Sequence, residues 1–296
     1  MVRKRSAPIT GYAFQLAFFC AMVLGLGGCA TTQNAMRLEQ SHMNVPIKVL
    51  VIESPISIDQ HRLQAVLAPN VKPGLPASAG LIAQAEKHAQ KYALASMEST
   101  LAKQAGLEII SSPAGERRAI DKIRGKKFES AITQDEADRL RASTSADAIL
   151  RFGITDYGLT PKAWRKGYIA FEVASTLGIA GAIAYSGSAA AKAAAGVYLT
   201  QETVEETAEA YAGFWALDVV CRPVRIEAEL VRLNPVTTVW ETSDTGLSDV
   251  ALSRITRKVA SSERDGQLDQ ATKYAVTDLV SDLSAVMESA KLGHHR

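Results

Sequence analysis

Thiols are the most chemically versatile side chains in this sequence, which contains three cysteines, Cys20, Cys29 and Cys221. A thiol can serve as a nucleophile, a metal ligand, a disulfide partner or the attachment point of a lipid. Cys20 lies in an apolar run, and Cys221 begins a strand pattern without a histidine nearby in the sequence. Cys221 is therefore predicted to be a core residue. Cys29, which directly follows two glycines, is the cysteine whose surroundings indicate chemistry.

The first 28 residues have the organisation of an export signal. Arg3, Lys4 and Arg5 precede a mostly apolar run from Tyr12 to Leu26, and small residues follow. A basic region, a short apolar region and a small-residue cleavage site, in this order, are typical of a signal peptide. The apolar run is shorter than the ~20 residues that a transmembrane helix needs. Residues 1–28 are therefore predicted to be removed.

The end of this signal, Leu26-Gly27-Gly28-Cys29, resembles the lipobox of bacterial lipoproteins. The resemblance implies that the thiol of Cys29 receives a diacylglyceryl group, that the chain is cut between Gly28 and Cys29, and that the new amino group is acylated. Two or more acyl chains anchor a protein stably, whereas one binds reversibly. Ala30 stands where the family's inner-membrane retention signal would have Asp, so the resemblance implies the outer membrane, facing the periplasm.

Charge and cysteine content exclude two classes of protein. The full chain has 33 basic and 31 acidic residues, and removal of the three basic residues of the signal leaves 30 against 31. Such a balance does not suit a protein that coats nucleic acid, so no nucleic-acid partner is predicted. With the signal removed and Cys29 lipidated, Cys221 is the remaining thiol, and an internal disulfide framework is excluded.

The other polar residues give no pattern of a catalytic, metal or cofactor site. The sequence lacks H-E-x-x-H, C-x-x-C, a phosphate-binding G-x-x-x-x-G-K-[ST] loop and the nucleophile motif G-x-S-x-G. Among the five histidines, ligand spacing occurs in the terminal pair alone, and a solvated tail explains that pair; the histidines are His42, His61, His88, His294 and His295. We therefore predict no enzyme activity, no metal and no cofactor.

Two further sets of charges have ordinary structural explanations. Glu205 with Glu209, and Asp278 with Asp282, are spaced i, i+4 and are expected on solvated helix faces. The basic pairs at 117–118 and 126–127 form a small patch that is either plain surface or a contact for lipid head groups or peptidoglycan.

The elements that must position these residues alternate between strand and helix patterns. Residues 30–45 are polar and non-periodic, which suits a tether. Strands are predicted at 47–52, 107–110 and 146–157, and helices at 79–105, with Gly106 as its cap, and from a Thr133-x-x-Glu136 capping box to Ala142. A proline- and glycine-rich loop is expected at 68–78.

The second half predicts a hairpin and a terminal helix. Apolar and charged residues alternate over 224–230, which indicates a strand with one wet face, and Asn234-Pro235 turns the chain into a partner strand at 236–241. One apolar stripe over 267–288 indicates an amphipathic helix. The order β-α-β-α-β-β-β-α predicts an α/β fold, a mixed sheet in two or three layers, and a domain over residues 46–290.

An Ala- and Gly-rich insert, residues 165–215, interrupts this pattern. Nineteen consecutive residues between Glu172 and Lys192 carry no charge. We expect a helical hairpin that bends near residues 186–188. Three interpretations stay open: two small-residue helices packed on the domain, an assembly surface, or a membrane-inserting element. The residues expected at a membrane or oligomer contact are Gly178, Gly181, Ala184 and Gly187.

With a lipobox and this order of elements, the chain resembles the curli-transport (CsgG-like) superfamily of outer-membrane lipoproteins, which includes the periplasmic activator of penicillin-binding proteins. The fragments that carry the resemblance are IKVLVIESP and ADAILRFGITDYG, within residues 46–157 and 222–288. The resemblance implies oligomerisation, secretion or docking on envelope partners. The curli pore proteins insert β-hairpins into the membrane, whereas the insert of this chain has a helical composition.

Two functions are therefore expected. The first is a lipid-anchored periplasmic protein of the outer membrane that acts without catalysis in envelope assembly, secretion or scaffolding, as a homo-oligomer or with an envelope partner. The alternative is a subunit of an oligomeric secretion channel whose insert enters the membrane.

Overall fold

A computed structural model describes residues 46–56, 58, 60–67, 76–110, 117–126, 128, 130–162, 164–167, 214–215 and 217–292 of the 296-residue chain. The predicted signal and tether lie outside these residues, as does the insert between its two ends. The expected lipidation and cleavage site at Gly28 and Cys29 also lies outside them.

Five strands and five α-helices make up the described fold. The strands are β1 (Ile47–Glu53), β2 (Leu107–Ile110), β3 (Ala148–Tyr157), β4 (Val224–Leu233) and β5 (Val236–Gly246). The helices are α1 (Gln60–Leu67), α2 (Pro76–Leu101), α3 (Arg117–Arg124), α4 (Gln134–Thr144) and α5 (Ser261–Leu292), and a 3₁₀ turn spans Leu252–Ile255. The sequence patterns identified each strand, but they did not identify α1 or α3.

The strands form a single mixed sheet in the order β2-β1-β3-β4-β5. β1 is parallel to both β2 and β3, whereas β3 with β4, and β4 with β5, are antiparallel. The predicted α/β class with a mixed sheet is therefore confirmed. Because β1 and β3 are parallel, the start of β1 and the end of β3 lie at opposite edges of the sheet.

Helices cover both faces of the sheet, so the described residues form three layers. Leu150 and Phe152 of β3 point into a core shared with α1, α2 and α5. Ile149, on the other face, packs in a second core with α3 and α4. The alternation of side chains along a strand places apolar residues in both cores, and this is why β3 is almost wholly buried.

Two predicted boundaries of α2 are wrong. The helix begins at Pro76, within the expected loop, and ends at Leu101 rather than at 105. Proline is well suited to a first helical turn because its missing N–H has no partner there. Gly106 does not cap the helix: it adopts a left-handed φ of 90° in the following turn. Its carbonyl instead accepts a hydrogen bond from the N–H of Ile47 at the start of β1, over 3.0 Å.

The prediction of one wet face on β4 is wrong in the middle of the strand. Glu229 is buried there, and Val231 belongs to the second core. Arg151 of β3 forms an ion pair with Glu229 and also donates to the carbonyls of Ser130, over 2.8 Å, and Phe128, over 2.6 Å. The charged residue of β4 is buried because the neighbouring strand supplies an equally buried opposite charge.

The remaining helix and hairpin predictions are confirmed with longer elements. Thr133 and Glu136 form the predicted capping box of α4, which extends to Thr144. The Asn234–Pro235 turn joins β4 to β5, and β5 continues to Gly246. The apolar stripe of α5 is buried as expected within a helix that extends beyond both predicted ends, through residues Leu268, Ala271, Ala275, Leu279 and Leu283.

Candidate docking site at the base of the insert

The insert leaves the sheet between the end of β3 and the start of β4. Gly158 directly follows β3 with a left-handed φ of 74°, and its N–H donates to the carbonyl of Pro223 over 2.7 Å. A Cβ atom here would lie 2.6 Å from Cγ1 of Val66 and 3.0 Å from Cδ2 of Leu268. Glycine is therefore needed both for the turn and for the close packing of α1 and α5 against it.

Three residues join the two ends of the insert to each other. Asp218 accepts hydrogen bonds from the backbone N–H and, over 2.6 Å, the hydroxyl of Thr160. Its other carboxylate oxygen forms an ion pair with Arg165 over 2.6 Å. Arg165 also donates from Nε to the carbonyl of Thr160 over 3.1 Å. We call Thr160, Arg165 and Asp218 the insert base.

An aromatic contact and a second arginine extend this network. The guanidinium of Arg165 lies over the ring of Phe214, with Cζ 5.1 Å from the ring centroid, which is within the range of a cation–π interaction. Arg62 of α1 donates to the carbonyl of Thr160 over 2.8 Å and to Asp156 over 2.7 Å. Both ends of the insert are therefore fixed to the sheet and to α1.

The electrostatics of Asp156 reflect its position beneath this network. Burial raises the pKa of its carboxyl above the ordinary value, and the attraction of Arg62 opposes the shift only in part. The carboxylate therefore depends on Arg62 for its charge.

A second arginine network holds the segment after β5 against the chain that precedes β4. Arg254 donates to the carbonyl of Val220 over 2.9 Å and to the carbonyl of Asp249 over 2.7 Å, and it pairs with the Glu263 carboxylate over 3.1 Å. Hydrogen bonds from Arg257 and Arg254 lower the pKa of Glu263 to about 2. This segment is thus fixed beside the insert base.

Arg222 lies between these networks in a strained conformation. Its φ of 43° is uncommon for a residue with a Cβ atom. Its half-buried guanidinium forms no ion pair with another described residue, and its buried Nε has no hydrogen-bond partner there. Burial, together with the nearby charges of Arg264 and Arg254, lowers its pKa.

Three large apolar side chains remain exposed in this region. Trp215, at the end of the insert, is 52% exposed, and Val250 and Ile255, in the segment after β5, are 68% and 37% exposed. We call these three residues the apolar patch. Together with the insert base they make this edge of the sheet a surface for contacts rather than a closed catalytic pocket.

The other residues singled out in the sequence have different outcomes. Cys221 is a free, buried cysteine, as predicted for a core residue. Lys126 does not belong to a free basic patch, because it forms an ion pair with Glu136 over 2.6 Å. Asp282 is not simply solvated, since it accepts a hydrogen bond from Nε1 of Trp240 over 3.2 Å. The expected contact residues Gly178, Gly181, Ala184 and Gly187 lie outside the described residues, as do Glu205 and Glu209.

The described residues contain no group of three or more His, Cys, Asp and Glu side chains arranged to hold a metal ion. His88, the described histidine whose side chain is placed, lies 2.9 Å from Asp269 and stacks on Tyr92. None of the helices in the described ranges combines the length and apolar character that crossing a bilayer requires.

Sequence reasoning did not find the insert base. Arg165 and Asp218 are 53 residues apart, and their types are common on protein surfaces. The one signal available was their placement, with opposite charges just outside the two ends of a largely apolar insert.

No protein-family model matches this sequence, and no curated protein matches it. Solved structures that resemble it include the hypothetical protein CT253 from Chlamydia trachomatis, with 8% identity, a TM-score of 0.36, and coverage of 82% of this chain and 98% of that chain. Lipoprotein GNA1162 from Neisseria meningitidis has 13% identity, a TM-score of 0.33 and coverage of 81% and 99%. The PelC dodecamer from Paraburkholderia phytofirmans has 10% identity, a TM-score of 0.27 and coverage of 78% and 89%. These values establish no family for the chain.

Proposed function

We propose that this chain is a lipid-anchored lipoprotein of the bacterial envelope, facing the periplasm from the outer membrane, that acts through protein contacts rather than catalysis. Cys29 is the anchor, residues 30–45 are the tether, and the folded domain presents the insert to a second copy or to another envelope protein. The role is one of assembly, secretion or scaffolding, in the manner of the curli-transport superfamily.

The observation that supports this role most directly is the Arg165–Asp218 ion pair, which fixes both ends of the insert to the sheet. A docking segment gains affinity when its ends are held in place, because less conformational entropy is lost on binding. The charged side chains here are engaged in this support: Asp218 with Arg165, Asp156 with Arg62, and Glu263 with Arg254. Carboxylates neutralised in this way suit a scaffold better than general acid–base chemistry.

A separate observation favours the alternative, a subunit of an oligomeric secretion channel. The nineteen uncharged residues between Glu172 and Lys192 are long enough to span a bilayer as a helix. They are rich in Ala and Gly, which permit close contact between helices of neighbouring subunits.

Light scattering of residues 29–296 with Cys29→Ser, with and without detergent, tests the two functions against each other. A soluble monomer or small oligomer in the absence of detergent supports docking by the folded domain. Large assemblies that require detergent contradict it and support the channel. Radiolabelled palmitate incorporated by the full chain, but not by its Cys29→Ser variant, supports the anchor; equal labelling of both would contradict it.

A further inference from the structure

The apolar patch is a continuous feature of one edge of the sheet because hydrogen bonds join its two segments. Trp215 belongs to the chain that leads to β4, and the carbonyl of Val220 in that chain accepts a hydrogen bond from Arg254, next to Ile255. The carbonyl of Cys221 accepts a second bond, over 2.8 Å, from the N–H of Ser248, close to Val250.

The charges around the patch do not balance. The described acidic side chains of this edge are each paired with an arginine: Asp156, Asp218, Asp249, Glu263 and Asp265. Lys162, Lys166 and Lys258 are exposed and form no ion pair with another described residue. The edge therefore presents unpaired positive charge beside exposed apolar side chains.

This combination matches the chemistry of an anionic bilayer surface. Tryptophan is favoured at the boundary between head groups and acyl chains, where its ring is buried and its N–H remains hydrated. Lysines near an anionic leaflet each strengthen binding by about fivefold. We propose that the apolar patch and these lysines bind an anionic phospholipid surface directly, independently of the lipid on Cys29.

The position of the patch is compatible with a lipid anchor on the same membrane. The tether enters the fold at the start of β1, at the edge of the sheet opposite to the patch. Its 17 residues reach at most about 60 Å when extended, whereas β3 is about 33 Å long. With Cys29 as the anchor, the domain can turn its patch to the bilayer that holds the acyl chains. The inference goes beyond the proposed function, since a docking protein needs no lipid contact by its folded domain.

Vesicle sedimentation tests the proposal with residues 29–296 carrying Cys29→Ser, so that no acyl chain contributes. We expect binding to vesicles of phosphatidylethanolamine and phosphatidylglycerol, at least tenfold weaker binding to pure phosphatidylcholine, and weaker binding at high salt. Trp215→Ala should weaken binding severalfold. Reversal of two patch lysines, Lys166→Glu with Lys258→Glu, should weaken it at least tenfold.

The matched control reverses two exposed lysines of the same charge away from the patch, Lys91→Glu with Lys103→Glu. Lys91 lies within α2, and Lys103 lies in the turn before β2, beside the start of β1. This control should lose severalfold less affinity than the patch reversal. Equal losses would mean that net charge alone governs binding and would overturn the proposal.

Fluorescence locates the contact in a second way. Brominated lipids should quench the emission of Trp215 in vesicles, and Trp215→Phe should abolish most of the quenching while it preserves binding, with Trp164 and Trp240 still present. The insert is intact in every variant. Full binding by Trp215→Ala would therefore assign membrane contact elsewhere in the chain, and absence of binding to any vesicle would favour a protein partner; either result overturns the proposal. Neither result affects the light-scattering test of the proposed function.

Discussion

Arg165 and Asp218 form an ion pair over 2.6 Å that joins the two ends of the insert. Their backbones belong to segments on opposite sides of the insert, yet the same carboxylate also accepts two hydrogen bonds from Thr160. The pair therefore fixes where the insert leaves the sheet and where it returns. A docking surface built on this base has a defined origin, whatever its occupant.

The insert base should contribute measurably to stability. Asp218→Asn removes the charge that Arg165 and Thr160 share, and bonds to a buried charged group are worth more than bonds between neutral groups. We expect the free energy of unfolding in urea to fall by about 2 kcal/mol. Asp135→Asn is the control, since its pair with Arg139 is exposed on both sides and should change stability by less than about 0.5 kcal/mol. Equal losses in the two variants would show that the insert base is only a surface pair.

The buried pair between β3 and β4 should be more costly to break. Glu229→Ala leaves the guanidinium of Arg151 buried without a compensating charge. We expect a loss of about 3–5 kcal/mol in the free energy of unfolding, measured by chemical denaturation. Glu227→Ala, on the same strand, removes a more exposed partner of Arg225 and should have a small effect. A small effect in both variants would contradict the role of the Arg151–Glu229 pair.

Gly246 should tolerate no side chain. A Cβ atom at this position would lie 1.9 Å from the carbonyl oxygen of Ala271 in α5. Gly246→Ala must therefore push α5 away from β5, and we expect a loss of more than about 3 kcal/mol in a thermal or urea melt. Gly80→Ala is the matched substitution in α2, where a Cβ meets no atom within 4 Å; it should stabilise the helix by about 0.5–1 kcal/mol. A neutral Gly246→Ala would refute the close approach of α5.

Glu136 should make stability depend on acid pH. Burial alone would raise the pKa of its carboxyl, but hydrogen bonds from Lys126, Thr133 and Lys122 outweigh that effect and lower it to about 2 from the ordinary 4.5. Because the folded-state pKa lies below the unfolded one, the stabilisation is present above about pH 4.5 and is lost as the pH falls towards 2.

Urea melts of Glu136→Gln between pH 7 and pH 2.5 check this prediction. The stability difference from the unmodified chain should be largest at neutral pH and should shrink as the pH falls through this range. Glu288→Gln, an exposed position near the end of α5, is the control and should show no such pH dependence. A constant difference for Glu136→Gln would mean that its carboxylate gains nothing from folding.

Local patterns in the sequence determined much of the fold. Alternating apolar residues indicated β3 and β4, Thr133 and Glu136 indicated the start of α4, and one apolar stripe indicated α5. These signals are visible because each depends on residues within a turn or two of one another along the chain. The lipobox at Cys29 is local in the same sense, and the expectation of a lipid anchor depends on the sequence alone.

The tertiary structure decided the features that depend on distant partners. Whether Glu229 faced solvent or core depended on Arg151, which lies 78 residues earlier in the chain. The join between Arg165 and Asp218 likewise depended on how the sheet brings the end of β3 to the start of β4. Burial of a charge is favourable only when an opposite charge arrives from elsewhere in the fold, and no pattern within one element carries that information.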